Sequence, residues 1–155
     1  MNEQQKIDFK KALKTRCIEI LEQRIDASYN SMQNAQAAAN EEEKSSAGDK
    51  YETGRAMNHL EKDMHARQLA ANKSDLAKLL SINCEQVYKT VAPGCFVKCI
   101  DTSFFIAAGL GKISIENETV FLLSHLAPVA KMLQDKKPGD TILFNGKELT
   151  IEELY

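Results

Sequence analysis

From about residue 5 to residue 43, apolar or small side chains return every three or four positions: Ile18, Leu21, Ile25, Ser28, Met32, Ala35, Ala39. Steps that alternate in this way form the seam of a coiled coil. They predict a helix of roughly 58 Å at 1.5 Å per residue. The seam residues become small toward Ala35 and Ala39, so a second helix approaches closely there. A helix of that length is not stable alone in water and needs a partner. The stretch "NEEEKSSAGD" breaks the pattern. Met57, Leu60 and Met64 then resume helical spacing, followed by Leu69, Leu76 and Leu80. The step from Met64 to Leu69 is five, so this second seam slips near His65. The arms predict two antiparallel helices joined at a tip near residues 44–49. The same heptads also allow a dimer between chains. The central break and the similar arm lengths favour the hairpin. Residues 5–81 hold no Pro and only Gly48 and Gly54, and they are rich in helix-forming Ala, Glu, Gln, Lys, Leu and Met.

After Asn83 the pattern changes. "VAPGCFVKCI", "SFFIAA", "KISIEN", "TVFLLS" and "DTILFNGKELTIEEL" are short β-rich runs separated by Gly, Pro, Asn and Asp. "LAPVAKMLQDKKPGD" predicts one helix followed by a turn at Pro138-Gly139-Asp140. Asn145-Gly146 is a type I′ hairpin signal. The fold class is therefore α+β: a long antiparallel coiled-coil hairpin over 1–82, then a small mostly-β domain over 88–155. Residues 82–89 form the junction. A domain of that size buries a modest core and would be marginal alone.

Composition narrows the partners. Aromatic residues make up 6% of the chain and there is no Trp, which predicts an aliphatic core. The net charge of −2 argues against binding nucleic acid mainly by counterion release, which needs a strongly basic face. Cys17, Cys84, Cys95 and Cys99 offer no C-x-x-C pair, so reduced thiols in a cytoplasmic protein are expected rather than a zinc site. The charged start "MNEQQKIDFKKALK" is no signal peptide. No apolar run of about 20 residues exists to span a membrane.

Candidate chemistry concentrates near the hairpin tip. Asp49 and Glu52 stand three apart at the start of the second helix. As a capping box, Asp49 accepts a backbone N–H and Glu52 reaches back. As ligands, the two carboxylates suit Mg²⁺, which often takes only one or two protein carboxylates and shares its other positions with phosphate and water. Glu41–Glu43 reads as a solvated helix end that also makes the tip potential more negative. His59 and His65 are six apart, which is no helical metal pair, and read as surface residues. His125 reads the same way. "GLGK" at 109–112 lacks the Walker pattern and reads as a turn between strands. Ser124 has no G-x-S-x-G context, so it is no hydrolase nucleophile.

The order of these parts resembles the bacterial Gre transcript-cleavage factors, the GreA/GreB family. The family's tip pattern is roughly G-D-x-x-E-N-A-E-Y, and Gly48, Asp49 and Glu52 match it in spacing. Thr53, Gly54 and Arg55 depart from it. Val91-Ala92-Pro93-Gly94-Cys95-Phe96-Val97 is similar to a family strand start, V-x-x-G-[ST]-x-V. Ser124–Asp140 is similar to the family's S-P-L-[AG]-x-A-L-[IL]-G-K-x-x-G-D, with about one extra helical turn.

That resemblance implies an FKBP-like C-terminal domain and a transcription elongation factor that enters the secondary channel of RNA polymerase. It implies no enzyme in its own right. The polymerase would hydrolyse its backtracked RNA near the 3′ end, with Asp49 and Glu52 helping to hold a Mg²⁺ shared with the polymerase and to orient the attacking water. Lys50 and Arg55 would contact RNA, and Ser124 and Leu126 would lie at the docking surface. The expected state is a monomer. Two other readings stand beside this one: a secondary-channel regulator that does not cleave, and a peptide-binding or chaperone module, which would need an aromatic-lined pocket.

Overall fold

The computed structural model describes residues 1–44 and 49–155, and for 42–44 and 49–51 the backbone only. The expected tip loop near 44–49 therefore lies mostly outside the described residues. Two long helices come first, α1 (Glu3–Lys44) and α2 (Asp49–Ser81). Strands β1 (Phe96–Cys99), β2 (Ser103–Ile106), β3 (Gly111–Ile115) and β4 (Glu118–Leu123) follow. Helix α3 (Pro128–Leu133) and strands β5 (Thr141–Phe144) and β6 (Lys147–Leu154) complete the chain. The chain parts into two compact units: Met1–Ile18 with Lys78–Tyr155, and Glu19–Ala77.

The second unit is the paired part of α1 and α2 within one chain. Ser28 of α1 lies 3.5 Å from the Asn72 amide of α2. The first seam is where the sequence puts it. Leu21, Ser28, Ala35 and Ala39 are buried, and Ile25 and Met32 are half-buried. The second seam is not. Met57, Leu60 and Met64 are 63%, 66% and 47% exposed. The inward positions of α2 instead run Gly54, Asn58, Lys62, His65, Leu69, Asn72, Leu76 and Leu79. The reason is helical geometry. Each residue turns about 100°, so a five-residue step leaves Met64 about 140° away from Leu69 on an unbroken α-helix. For the same reason Leu79 is buried and its neighbour Leu80 is 57% exposed. His59 and His65, expected at the surface, are half-buried.

The first unit is a six-stranded mixed sheet in the order β3-β4-β2-β1-β6-β5. Only the β2–β4 pair is parallel. Two cross-strand rows organise the core. Val97 faces Phe104, which faces Phe121. Phe96 faces Phe105, which faces Leu122, on the opposite side of the pleat. The first row packs with Cys95, Cys99, Ile106 and Ile151 against Ala130 and Leu133 of α3. On the other face, Phe9 of α1 meets Phe96 edge-to-face at 5.1 Å, and Phe96 meets Tyr155 at 5.2 Å. Buried on both faces, β2 (Ser103–Ile106) has no exposed residue.

The aliphatic core expected from composition is thus corrected for this unit. Phe9, Phe96, Phe104 and Phe105 are buried in it, with the Phe144 ring edge-on to Phe104 and Phe121 tilted against Phe104. A low average hid a local concentration. The first turns of α1 also supply part of the apolar cover that a strand-only domain of this size lacks.

The turns follow their residues. Asn145 and Gly146 take φ of 50° and 76° between paired Phe144 and Lys147, as a type I′ turn requires. Glu116 and Asn117 make a second two-residue turn with positive φ, which lacks the Gly that would have marked it. The short helix expected before Pro138 is α3, and the extra turn that the family comparison implied is not helical. α3 ends at Leu133, and Asp135 takes φ of 62°. Residues 135 and 136 instead exchange backbone hydrogen bonds with Val91.

Gly94 closes the junction. Its φ is +91°, and a Cβ there would lie 2.5 Å from the Asn83 carbonyl oxygen and 3.0 Å from the Tyr88 hydroxyl. That hydroxyl donates to the same carbonyl. Gly94→Ala combines left-handed strain with a clash against backbone, and is expected to cost about 2–3 kcal/mol. Urea unfolding checks it; a loss under about 0.5 kcal/mol would show that the junction yields.

Candidate functional site

Asp49 is the first helical residue of α2, and its side chain, like that of Lys50, lies outside the described residues. The reciprocal cap expected between Asp49 and Glu52 rests on that side chain and is equally outside them. Glu52 and Arg55 are exposed in the first two turns. A helix start is where carboxylates are electrostatically favoured, because the first N–H groups have no intrahelical partner. The fold thus brings Asp49 and Glu52 into one helical turn and puts Arg55 less than a turn further on. Among the described residues, no three His, Cys, Asp or Glu side chains converge to hold a metal. A cation here would therefore need ligands from elsewhere, as Mg²⁺ sites built on one or two carboxylates do.

Ser124 and Leu126 sit in the turn after β4. The Ser124 hydroxyl accepts the Leu126 N–H at 3.2 Å, and Leu126 stands 60% exposed with His125 exposed beside it. This Ser turn explains why an apolar side chain is held out in water. Ser124 also accepts the Ala127 N–H through its carbonyl, which leads into Pro128, the first residue of α3.

Next to that turn is a cavity of about 70 Å³ lined by Val91, Ala92, Pro93, Ile106, His125, Ala130 and Gln134. No Phe, Tyr or Trp side chain lines it. The rings that a proline-binding pocket would need are packed in the core instead, where Phe104, Phe121 and Phe144 touch one another. Of "GLGK" at 109–112, Gly109 and Leu110 lie in the link between β2 and β3, and Gly111 and Lys112 open β3.

The feature that sequence reasoning missed is a set of lysines on α1. Lys10 is fully buried. Its ammonium donates to the Gln86 carbonyl and lies 4.7 Å from the centre of the Tyr88 ring. Burial lowers its pKa, while Cys84 and Cys95 act in the opposite direction. Lys14 donates to the Leu80 and Ile82 carbonyls at 3.3 and 2.8 Å, where the last carbonyls of α2 need donors. Lys11 pairs with Glu85 at 3.0 Å. In "FKKALK" these lysines look like a solvated face, and only the burial of Lys10 and the half-burial of Lys14 distinguish them; Lys11 is exposed.

The four cysteines are free and buried. Burial pushes the Cys17 thiol up to about 12, and the Cys95 and Cys99 thiols up to about 11. They are therefore inert core thiols at neutral pH rather than nucleophiles. Among the described residues, no helix is long and apolar enough to cross a membrane.

No family model and no curated protein matches this chain. Among solved structures the chain is similar to one described as "Structure of the transcription factor Gfh1", with 18% identity over 87% of this chain and 89% of that one, at a TM-score of 0.34.

Proposed function

We propose that this chain is a Gre-like factor that enters the secondary channel of RNA polymerase and stimulates the polymerase's own cleavage of backtracked RNA. The observation that carries the reading is the placing of Asp49 and Glu52 in the first turn of the second helix of a long hairpin, followed in the chain by a separate sheet domain. An arm of this kind presents carboxylates to a buried centre. At about 1.5 Å per residue, the part of α1 in the second unit, residues 19–44, extends about 39 Å.

In the proposed role the chain cuts nothing by itself. Asp49 would help to hold a Mg²⁺ shared with the polymerase, and Glu52 would hold it too or orient the attacking water; the cation would supply charge stabilisation and an activated water. Two-metal chemistry of this kind uses one cation to activate water and another to stabilise the leaving oxygen. Lys50 and Arg55 lie within a turn of the acids, where a cation would attract RNA phosphate. Exposed Leu126, held out by the Ser124 turn, offers an apolar contact for docking on the polymerase.

Arg55 also favours a second reading. Its charge within one turn of Glu52 would weaken cation binding there, as suits a regulator that occupies the channel without cleaving. The cavity beside α3 has no Phe, Tyr or Trp in its lining, so it adds nothing to the peptide-binding reading.

The test uses stalled, backtracked polymerase complexes with Mg²⁺ and 3′-labelled RNA, with and without the chain, beside a direct binding measurement. Faster release of a short 3′ fragment supports the cleavage reading. Tight binding with no change in cleavage selects the regulator. Absence of binding overturns both.

A further inference from the structure

The parallel pairing of β2 and β4 brings two turns to one end of the sheet. Ser103 lies opposite Val120 and Phe105 opposite Leu122. β2 is entered from β1 through residues 100–102, and β4 from β3 through Glu116 and Asn117. Neighbouring parallel strands start at the same end, so these two turns lie beside each other. The Ser124 turn follows β4, at its other end.

Between the two turns is an open cleft of about 330 Å³, large enough for a small ligand or a long side chain. Lys98, Asp101, Ser103, Asn117 and Glu118 are in its lining, with Ile100, 73% exposed, beside them. The Lys98 ammonium lies 3.2 Å from Oε1 of Glu118, which engages that cation. The second oxygen of Glu118 is buried, and no donor of the chain reaches it. Ser103 is 4% exposed, yet its hydroxyl makes no hydrogen bond among the described residues. Asp101 is exposed in its turn and has no ion pair among them. A buried acceptor without a donor is costly, so this cleft is built with acceptors to spare.

The charge balance has the same sense. Two carboxylates face one ammonium, and exposed Glu116 in the adjoining turn adds a third carboxylate. The ligand that satisfies these groups is a cation with several N–H donors. A divalent metal ion suits them poorly: among the described residues no three His, Cys, Asp or Glu side chains converge, and the Lys98 ammonium already sits on Glu118. A second alkylammonium would only repeat Lys98. A guanidinium fits better, because it spreads five donors over a plane and is weakly hydrated. Free arginine brings its own carboxylate into the field of Asp101, Glu116 and Glu118, whereas an arginine within a peptide does not.

We propose that the cleft between the β1–β2 and β3–β4 turns takes the guanidinium of an arginine carried by a partner protein, with Asp101, Glu118 and Ser103 as its acceptors and Ile100 as the contact for an aliphatic neighbour. Glu118 is 33% exposed, and rotation about its last bond, which is soft, presents its spare oxygen to the cleft. The site does not rest on the polymerase reading above.

NMR titration of the whole ¹⁵N-labelled chain tests it. The probes are acetyl-Leu-Arg-amide, acetyl-Leu-Lys-amide, acetyl-Leu-citrulline-amide and free arginine. The Leu-Arg probe is expected to shift the backbone amides of Asp101, Ser103 and Glu118 saturably, with a Kd on the order of 1 mM. The lysine probe is expected to bind at least about fivefold more weakly, and the neutral citrulline probe at least about tenfold more weakly. Asp101→Asn and Glu118→Gln are each expected to weaken the Leu-Arg probe at least about fivefold while the spectrum stays that of a folded chain. Asp101 lies in an exposed turn, so its variant decides the matter even where Glu118→Gln disturbs the strand. No saturable shift at those amides up to about 50 mM probe overturns the proposal. So does equal binding of the citrulline probe, or unchanged affinity in Asp101→Asn. Tighter binding of free arginine than of the capped peptide overturns the assignment to a protein partner. No readout involves polymerase, so the failure of this proposal and the failure of the cleavage reading are separate results.

Discussion

Asp49→Asn is expected to slow the Mg²⁺-dependent cleavage stimulated by this chain on the order of 100-fold, and to leave its affinity for polymerase unchanged. The substitution separates the two readings of the acid pair. Asn serves a helix start about as well as Asp, and at the first helical position it loses only a dipole interaction of about 0.3–1 kcal/mol, so a residue that only supports the start of α2 tolerates the change. A residue that holds Mg²⁺ does not, because the amide keeps the shape and loses the charge that a hard cation needs. Glu52→Gln makes the same separation at the second position, since Gln completes a capping box as well as Glu does. It is expected to cost less, about 10-fold, if Glu52 mainly orients water. Single-turnover cleavage at saturating factor gives the rate, and competition binding gives the affinity. Wild-type cleavage by both variants would leave Asp49 and Glu52 as caps. Loss of binding together with cleavage would point to a disturbed helix start, which circular dichroism and thermal unfolding would reveal.

How much of this was legible in the chain depends on the residue. The seam of α1 was legible because its small and apolar residues return at the period of the helix and all fall on one side. So was the Asn145-Gly146 turn, where both positions need positive φ and the residue types say so. The Glu116-Asn117 turn needs the same backbone and was not marked, because a Glu in a left-handed conformation carries no sequence signal. For α2 the spacing was read correctly and the direction was not. Periodicity shows that Met57, Leu60 and Met64 share a face. It does not say which face the partner takes when the pattern changes phase at Met64–Leu69. The phenylalanines show a further limit: a chain average cannot report that the rings collect in one unit. At the tip, the sequence named Asp49 and Glu52; α2 begins at Asp49 itself, one position earlier than an N-cap at Asp49 implies, and the Asp49 side chain lies outside the described residues.

The largest stability effect is expected at a residue that the sequence disguises. Lys10→Ala is expected to cost about 3–5 kcal/mol. Lys10 is as buried as Leu13, although lysine is almost never buried without partners. Its partners are the Gln86 carbonyl and the face of Tyr88. Truncation deletes three side-chain methylenes beyond Cβ, worth about 0.8 kcal/mol each, and leaves a partly buried carbonyl without its donor at about 1–3 kcal/mol. Lys10→Met divides the two terms. It keeps an unbranched apolar stem and removes the charge, so it restores most of the packing and loses only the hydrogen bond and the cation–π contact. Relief from burying an ammonium offsets part of that loss. Met is therefore expected to cost about 1–2 kcal/mol, well below Ala. Urea denaturation at pH 7 measures both. An equal loss in the two variants would mean that the ammonium, and not the stem, holds the junction between α2 and β1 (residues 82–95). A loss below about 1 kcal/mol in Lys10→Ala would mean that the side chain swings out to water when the chain is free in solution, and the clasp of α1 on Gln86 and Tyr88 would fall with it.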